Sequence, residues 1–365
     1  MHILHVIGAR PNFMKAAPVL RALTAFPDVE QTLVHTDQHY DAGMSDVFFQ
    51  QLGMPEPDFN LEVGSGTHAQ QTAAVMQAFE PVVQQGKPNL VLVYGDVNST
   101  LAAALVCSKL GVRVGHVEAG LRSHDRDMPE EINRLLTDQI SELLFTPSRD
   151  GNENLIREGI DPGKIHLVGN VMIDSLVRLL PSSEQFFSAN VTEPYALVTL
   201  HRPSNVDDLG WLRELLAALS DLSSHLSIVF PVHPRTRQRV NELGFSNQSN
   251  SRLRLLDPLP YLEFTALQRR ACVVITDSGG IQEETTFLGV PCLTVRENTE
   301  RPVTVKMGTN QLVGRDVLKL KRAVIDIVQN ATGGKTQRRD STCIPLWDGH
   351  AAERIAQIIV QCWTR

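Results

Sequence analysis

Very little in this sequence suits a disulfide framework, a zinc site or a membrane anchor. The five cysteines, Cys107, Cys272, Cys292, Cys343 and Cys362, are odd in number and widely spaced, with no C-x-x-C pair. Such spacing argues against both cross-links and metal ligation and fits a reducing compartment. No apolar stretch is long enough to span a bilayer, and Ile3-Leu4-His5-Val6-Ile7 is too short and wrongly flanked for a signal peptide. The cytoplasm is therefore the expected location, with no membrane partner. Neither sign of charge dominates: 34 Lys+Arg against 41 Asp+Glu leave a formal net charge of -7. That balance repels nucleic acid overall, so an anionic ligand must be held by local cations. Also missing is the G-x-G-x-x-G run of a dinucleotide site, since Gly8-Ala9-Arg10-Pro11 lacks its spacing.

What is present is a rhythm. At 365 residues the chain is long for one core, which favours two domains with a cleft between them. Short apolar runs at 3–7, 31–35, 90–94, 112–117, 143–147 and 165–168 alternate with amphipathic segments of helix length. A second series follows at 195–200, 226–231, 253–256, 273–276, 290–293 and 310–313. The pattern predicts an α/β protein of two Rossmann-like domains, each a parallel sheet wrapped by helices, with the active site in the cleft. Residues 1–180 form the first domain, the proline-bounded stretch 181–194 the linker and 195–345 the second domain. A final helix over 346–365 is expected to return to the first domain.

In such sheets ligands gather outside the C-terminal strand ends, which makes the polar residues there informative. Arg10 and Lys15 follow the first strand and bring two cations to the positive end of a helix started by Pro11. They are either solvated or matched by an anion. Asp96 and Glu118 follow two strands of the same sheet; Asp96 is also placed to cap a helix, whereas Glu118 interrupts an apolar run. After Pro129, residues Glu130, Asn133 and Arg134 share one helical face, so a polar ridge is expected there, with Ile132, Leu135 and Leu136 turned to the core. An ordinary i,i+4 salt bridge would use the same spacing.

In the second half His201-Arg202 and His233 stand at strand ends. Thr276-Asp277-Ser278-Gly279-Gly280 turns from a strand into a helix whose free N–H groups suit a phosphate, with Glu284 in its first turns, where a carboxylate accepts ribose hydroxyls. A plain Gly-Gly turn is the alternative.

Together these residues resemble the UDP-N-acetylglucosamine 2-epimerase family, which shares the two-Rossmann architecture of GT-B glycosyltransferases. The likeness runs nearly end to end, through Gly8-Ala9-Arg10-Pro11 with Lys15, Gly95-Asp96 with Ser99-Thr100, and His116-Val117-Glu118-Ala119-Gly120-Leu121-Arg122. It continues in Pro129-Glu130-Glu131-Ile132-Asn133-Arg134, His201-Arg202, Pro231-Val232-His233, Thr276 to Glu284, and Thr299-Glu300-Arg301-Pro302. The resemblance implies inversion of carbon 2 of a UDP-linked acetamido sugar, with neither cofactor nor metal, in a homodimer. UDP would leave with the C2 proton to give a 2-acetamidoglucal and then add back.

On that reading Asp96, Glu118 and Glu130 handle the proton, Lys15 and His201 complete the catalytic set, and Arg10, Arg134 and Arg202 bind substrate. Ser278, Gly279 and Gly280 would cradle phosphate, with His233 and Glu284 fixing the nucleotide. Family members activated by their own substrate carry an arginine after a Gln-His pair and a further glutamine; here the run is Gln38-His39-Tyr40-Asp41-Ala42-Gly43-Met44-Ser45. Met44-Ser45 with Phe48-Phe49 also resembles epimerases of UDP-2,3-diacetamido-glucuronic acid, and position 303 is Val where many relatives have Glu. Three other readings keep the same residues: a hydrolysing epimerase releasing N-acetylmannosamine, a GT-B glycosyltransferase, and a non-catalytic nucleotide-sugar sensor.

Overall fold

The computed structural model describes residues 1–37, 49, 51–187, 191–245, 252–332 and 344–363, the side chains of residues 10, 331 and 332 excepted. The run from Gln38 to Ser45 and Phe48 lie outside the described residues. The chain forms two compact units, Met1–Arg178 with Pro345–Arg365, and Leu179–Ile344.

In the first unit the strands are β1 (His2–Ile7), β2 (Glu30–His35), β3 (Phe59–Asn60), β4 (Leu90–Tyr94), β5 (Arg113–Val117), β6 (Leu143–Thr146) and β7 (Ile165–Leu167). They lie in the order β3-β2-β1-β4-β5-β6-β7, every pair parallel. The second unit has β8 (Tyr195–Thr199), β9 (Ser227–Pro231), β10 (Leu253–Leu256), β11 (Val273–Thr276), β12 (Cys292–Thr294) and β13 (Asn310–Leu312). Their order is β10-β9-β8-β11-β12-β13, again all parallel. Each sheet is thus doubly wound, and its strand order reverses beside its first strand, between β1 and β4 and between β8 and β11. A crevice opens at such a reversal, where the flanking connections diverge to opposite faces.

The strands read as continuous apolar runs because both faces are covered. Along β8, Ala196 and Val198 pack with Leu212, Leu216, Ile228 and Phe230 on one face, while Tyr195 and Leu197 join Val229 and Val274 on the other. In the first sheet Leu4, Val6, Val34, Val91 and Val93 pack on Phe79 and Val83. Each large apolar side chain buried in this way contributes about 1.5–3 kcal/mol. Among the described strands only β3 falls outside the strand pattern, being two exposed residues long.

Helix ends follow local chemistry. Pro129 and Pro234 occupy the first turns of the helices Pro129–Ile140 and Pro234–Glu242, and Gly111 (φ 71) and Gly289 (φ 68) close the helices Asn98–Leu110 and Gly279–Leu288. The helix Val171–Ser183, with Pro181 inside it, leads out of the first unit, and Glu184–Phe186 adds a 3₁₀ turn. The last helix, Ala351–Trp363, packs against the helix Arg10–Leu23 in the first unit. Asp174 fastens it by accepting from the N–H of Ala351 (3.1 Å) and of Ala352 (2.7 Å), and Trp347 Nε1 donates to the Pro147 carbonyl at 2.9 Å.

Candidate active site

At the strand reversal of the first unit, Lys15 lies in the second turn of the helix Arg10–Leu23 and is buried, as is Glu118 immediately after β5. The ammonium forms an ion pair with Glu118 Oε2. The anion needed to offset a cation near a helix N-terminus is thus a carboxylate of the protein itself. Two backbone features hold this pair. Gly95 has φ +64, and a Cβ there would stand 3.1 Å from Glu118 Oε2 and closer still to Lys15 Nζ. Glu118 is in the left-handed region at φ 76, which costs on the order of 1–3 kcal/mol for a non-glycine residue. The N–H groups of Glu118 and Ala119 share the Phe145 carbonyl, at 3.1 and 3.0 Å, and so hold that turn. Asn12 ties the β1 loop to β4, accepting from Gly8 N (3.0 Å) and donating to the Tyr94 carbonyl (2.7 Å). The Arg10 backbone begins the helix Arg10–Leu23; its side chain lies outside the described atoms.

Asp96, partly exposed, pairs with the buried Arg134. Arg134 also reaches Glu131 Oε2 through Nε (3.0 Å) and Nη2 (2.7 Å). Glu131 in turn accepts from Ser123 N (2.9 Å), Ser123 Oγ (3.0 Å) and His124 N (2.9 Å). Burial pushes the Glu131 carboxyl up, but these donors and Arg134 outweigh burial and hold it below its ordinary value. Asn133 donates to the Asp96 carbonyl at 2.9 Å. Glu130 stands half-buried in the first turn, and its side chain has no hydrogen bond among the described residues.

The expectation for the other face of this helix needs correction. Ile132 (37%) and Leu136 (45%) are exposed and Leu135 is half-buried, whereas Glu131, Asn133, Arg134, Thr137 and Asp138 are buried. The charged residues of this face point inward because Asp96 and Ser123 meet Arg134, Ser123 also meets Glu131, and His116 and Arg122 meet Asp138, so their burial no longer carries the usual desolvation cost.

In the second unit, His201 follows β8 and Asp277 follows β11, its immediate neighbour. His201 Nδ1 lies 3.0 Å from Asp277 Oδ1, with the imidazole partly exposed and the carboxylate fully buried. Asp277 also accepts from Arg202 N (3.0 Å) and Asn205 Nδ2 (3.1 Å). Burial raises the Asp277 pKa, but His201 and these donors outweigh it and leave it below the ordinary range. His233 caps the helix Pro234–Glu242, accepting from Arg235 N at 3.3 Å, and its ring centroid lies 6.2 Å from that of His201.

Ser278 precedes the helix Gly279–Leu288, whose first N–H groups carry no side-chain cap from it. Around this helix start lie buried charges. Glu300 pairs with Arg301 Nη1 (2.5 Å), Arg296 Nη2 (2.9 Å) and Arg202 Nη2 (3.5 Å), and Arg301 Nε with Glu283 (2.8 Å). A Cβ on Gly279 would stand 2.7 Å from Glu300 Oε1 and against the Arg301 guanidinium, so a side chain cannot be added without displacing the pair. Glu284, fully buried, accepts from Tyr261 OH at 2.9 Å, and burial pushes its carboxyl up to about 7.

The structure brings Lys15 to Glu118, Asp96 to Arg134 and His201 beside His233, and Arg202 shares Glu300 with the Gly279 turn, whereas Glu130 and Glu284 are not bonded to another candidate among the described residues. Sequence reasoning gave no role to Asp277, Glu300, Arg296, Arg301, Asp138 or Glu131. Asp277 and Glu300 were legible as polar residues inside the quoted motifs, but their partners stand far away in sequence.

Comparison with known proteins bears on this arrangement. The family model described as UDP-N-acetylglucosamine 2-epimerase matches residues 21–360. A UDP-N-acetylglucosamine 2-epimerase of Methanococcus maripaludis is 42% identical over 97% of this chain and 97% of its own length. A UDP-2,3-diacetamido-2,3-dideoxy-D-glucuronate 2-epimerase of Pseudomonas aeruginosa is also 42% identical, over 99% of this chain and 100% of its own. Among solved structures, the Methanocaldococcus jannaschii UDP-GlcNAc 2-epimerase in complex with UDP-GlcNAc and UDP superposes with a TM-score of 0.89 at 40% identity, covering 99% of this chain and 100% of that one.

Proposed function

From the chain's membership of the UDP-N-acetylglucosamine 2-epimerase family, we propose that it inverts carbon 2 of UDP-N-acetylglucosamine to give UDP-N-acetylmannosamine without releasing free sugar. In the forward step a carboxylate takes the C2 proton, the C1–O bond to UDP breaks, and a C1=C2 double bond forms. In the return step the proton is delivered to the opposite face of C2 while the UDP oxygen re-forms the C1 bond. Electrons and atoms balance without an oxidant, so the step calls for no nicotinamide.

The observation that supports this most is the set of three carboxyls in unlike surroundings in the first unit. Glu118 is buried against Lys15, Asp96 is partly exposed against Arg134, and Glu130 has no ion-pair partner among the described residues. Carboxyls in different surroundings are what acid and base duties on opposite faces of one carbon require. In the second unit, the helix start at Ser278, Gly279 and Gly280, with Arg202 and His201, is suited to the diphosphate that must leave and return, and His233 and Glu284 to the nucleoside. Arg10 would add a further cation for substrate.

A second substrate, UDP-2,3-diacetamido-glucuronic acid, is favoured by the equal identity to the Pseudomonas aeruginosa relative. Incubation with each sugar nucleotide, followed by proton NMR, separates the readings. Inversion at C2 of the first compound supports the proposal, inversion of the second alone replaces it, and free sugar accumulating with UDP refutes the non-hydrolysing step. The exposed Ile132 and Leu136 also support a homodimer, and the four described free thiols suit the cytoplasm.

A further inference from the structure

Beneath the three carboxyls lies a buried charged node that the proposed reaction does not use. His116, Arg122 and Asp138 are each at most 2% exposed. His116 belongs to β5, two residues before Glu118. Its Nε2 donates to the carbonyl of Gly95, the residue before Asp96, at 2.8 Å, and its Nδ1 lies 2.6 Å from Asp138 Oδ1. Asp138 Oδ2 accepts from Gly120 N at 3.1 Å and pairs with Arg122 Nη1 at 2.8 Å. Arg122 is anchored in turn by Glu158, through Nε at 2.8 Å and Nη2 at 2.6 Å.

The connections are specific in what they join. Gly95 leads into Asp96, and its own N–H is bonded to the Val117 carbonyl at 3.0 Å, so its peptide groups are held to β5 on both sides. Glu118 sits between His116 and Gly120, both of which touch Asp138. Asp138 itself is carried by the helix Pro129–Ile140, which also presents Glu130 and Arg134. One imidazole–carboxylate contact therefore links the three segments bearing Asp96, Glu118 and Glu130. Burial pushes the Asp138 carboxyl up, but His116 and Arg122 outweigh it and hold it below its ordinary range, so Asp138 is ionised at neutral pH.

We propose that His116 and Asp138 form a positioning dyad that fixes the mutual placement of Asp96, Glu118 and Glu130 for proton transfer at carbon 2, without touching substrate. The dyad rests on the epimerase reading above. A displacement of reacting groups by about 1 Å costs on the order of 10²-fold in rate, which is the scale on which such a device is felt. The dyad belongs to the first unit, whereas the residues proposed to hold phosphate belong to the second, so its loss is expected to lower turnover and not nucleotide affinity.

The test compares His116→Gln, Asp138→Asn and the double variant with the wild type. His116→Gln keeps a donor within reach of the Gly95 carbonyl but loses the link to Asp138. For each protein one measures deuterium entry at C2 in deuterium oxide, kcat and KM, UDP affinity by titration calorimetry, and the melting midpoint. Each single variant is expected to lose about 10²-fold in kcat and in exchange, with KM and UDP affinity within about threefold of wild type. The double variant is expected to be no slower than the worse single one, because the two residues act as one unit. A folded variant that exchanges at the wild-type rate, or effects that multiply in the double variant, would overturn the dyad. So would a rate loss that only follows the unfolded fraction. If Asp138→Asn does not fold, His116→Gln decides by the same criteria. No exchange by the wild type on either sugar nucleotide overturns the epimerase reading and the dyad with it.

Discussion

Replacing Glu118 by its amide separates the structural from the chemical part of the Lys15–Glu118 pair. The substitution leaves the Lys15 ammonium at 4% exposure with no countercharge from this position. Removing one partner of a buried pair costs about 3–5 kcal/mol; since the amide oxygen still accepts from the ammonium, the lower end, about 3 kcal/mol, is expected. For a unit of this size that corresponds to a fall of roughly 6–12 °C in the melting midpoint. Turnover should fall by about 10²-fold or more, the scale of a lost general base. The double variant Lys15→Met/Glu118→Gln removes the uncompensated charge, and a neutral pair of similar volume is expected to restore stability to within about 1 kcal/mol of wild type. Turnover should stay lost. Calorimetric melts and initial rates of C2 inversion read the two effects separately. An unchanged midpoint in Glu118→Gln, or a double variant that melts no higher than the single one, would refute the buried-pair argument; full turnover in either would remove Glu118 from the chemistry.

Further outcomes follow from the second unit and the exposed helix face. Glu284 is raised by burial from 4.5 to about 7, so its contribution to stability is complete below pH 4.5 and is lost as pH rises through 7. Denaturant titrations from pH 5 to 8 should show Glu284→Gln gaining on the wild type by about 3 kcal/mol at the alkaline end; parallel curves would contradict the shift. Gly279→Ala drives a methyl group into the Glu300–Arg301 pair and should weaken UDP binding by about tenfold or more in calorimetry, a loss of at least about 1.4 kcal/mol. Unaltered affinity would remove that turn from the phosphate site. Ile132→Lys charges the exposed apolar pair and should shift the protein from dimer to monomer in analytical ultracentrifugation, with no shift counting against association through that helix.

The sheets were readable because their strands are apolar on both faces, as in β4, where all residues from Leu90 to Tyr94 are buried. β3 was unreadable for the opposite reason: Phe59 and Asn60 are both exposed and too few to make a pattern. Position after a strand end identified Asp96, Glu118, His201 and Ser278 as candidates, since doubly wound topology alone directs such residues to one edge. Periodicity misled at the helix Pro129–Ile140. An apolar face is assumed to turn inward, but here Arg134 meets Asp96, 38 residues earlier, and Asp138 meets His116, 22 residues earlier. Nothing in the local run announces such partners. The same distance in sequence hid Glu300, whose link to Arg202 spans 98 residues.

Elimination and re-addition both pass through cleavage of the C2–H bond, and solvent isotope reads that bond without reference to any residue. With UDP-N-acetylglucosamine in deuterium oxide, proton NMR should find deuterium at C2 of the UDP-N-acetylmannosamine formed, and increasingly at C2 of recovered substrate as the reaction reverses. Epimerised product that keeps protium at C2 would contradict the elimination pathway and the duties given to Asp96, Glu118 and Glu130.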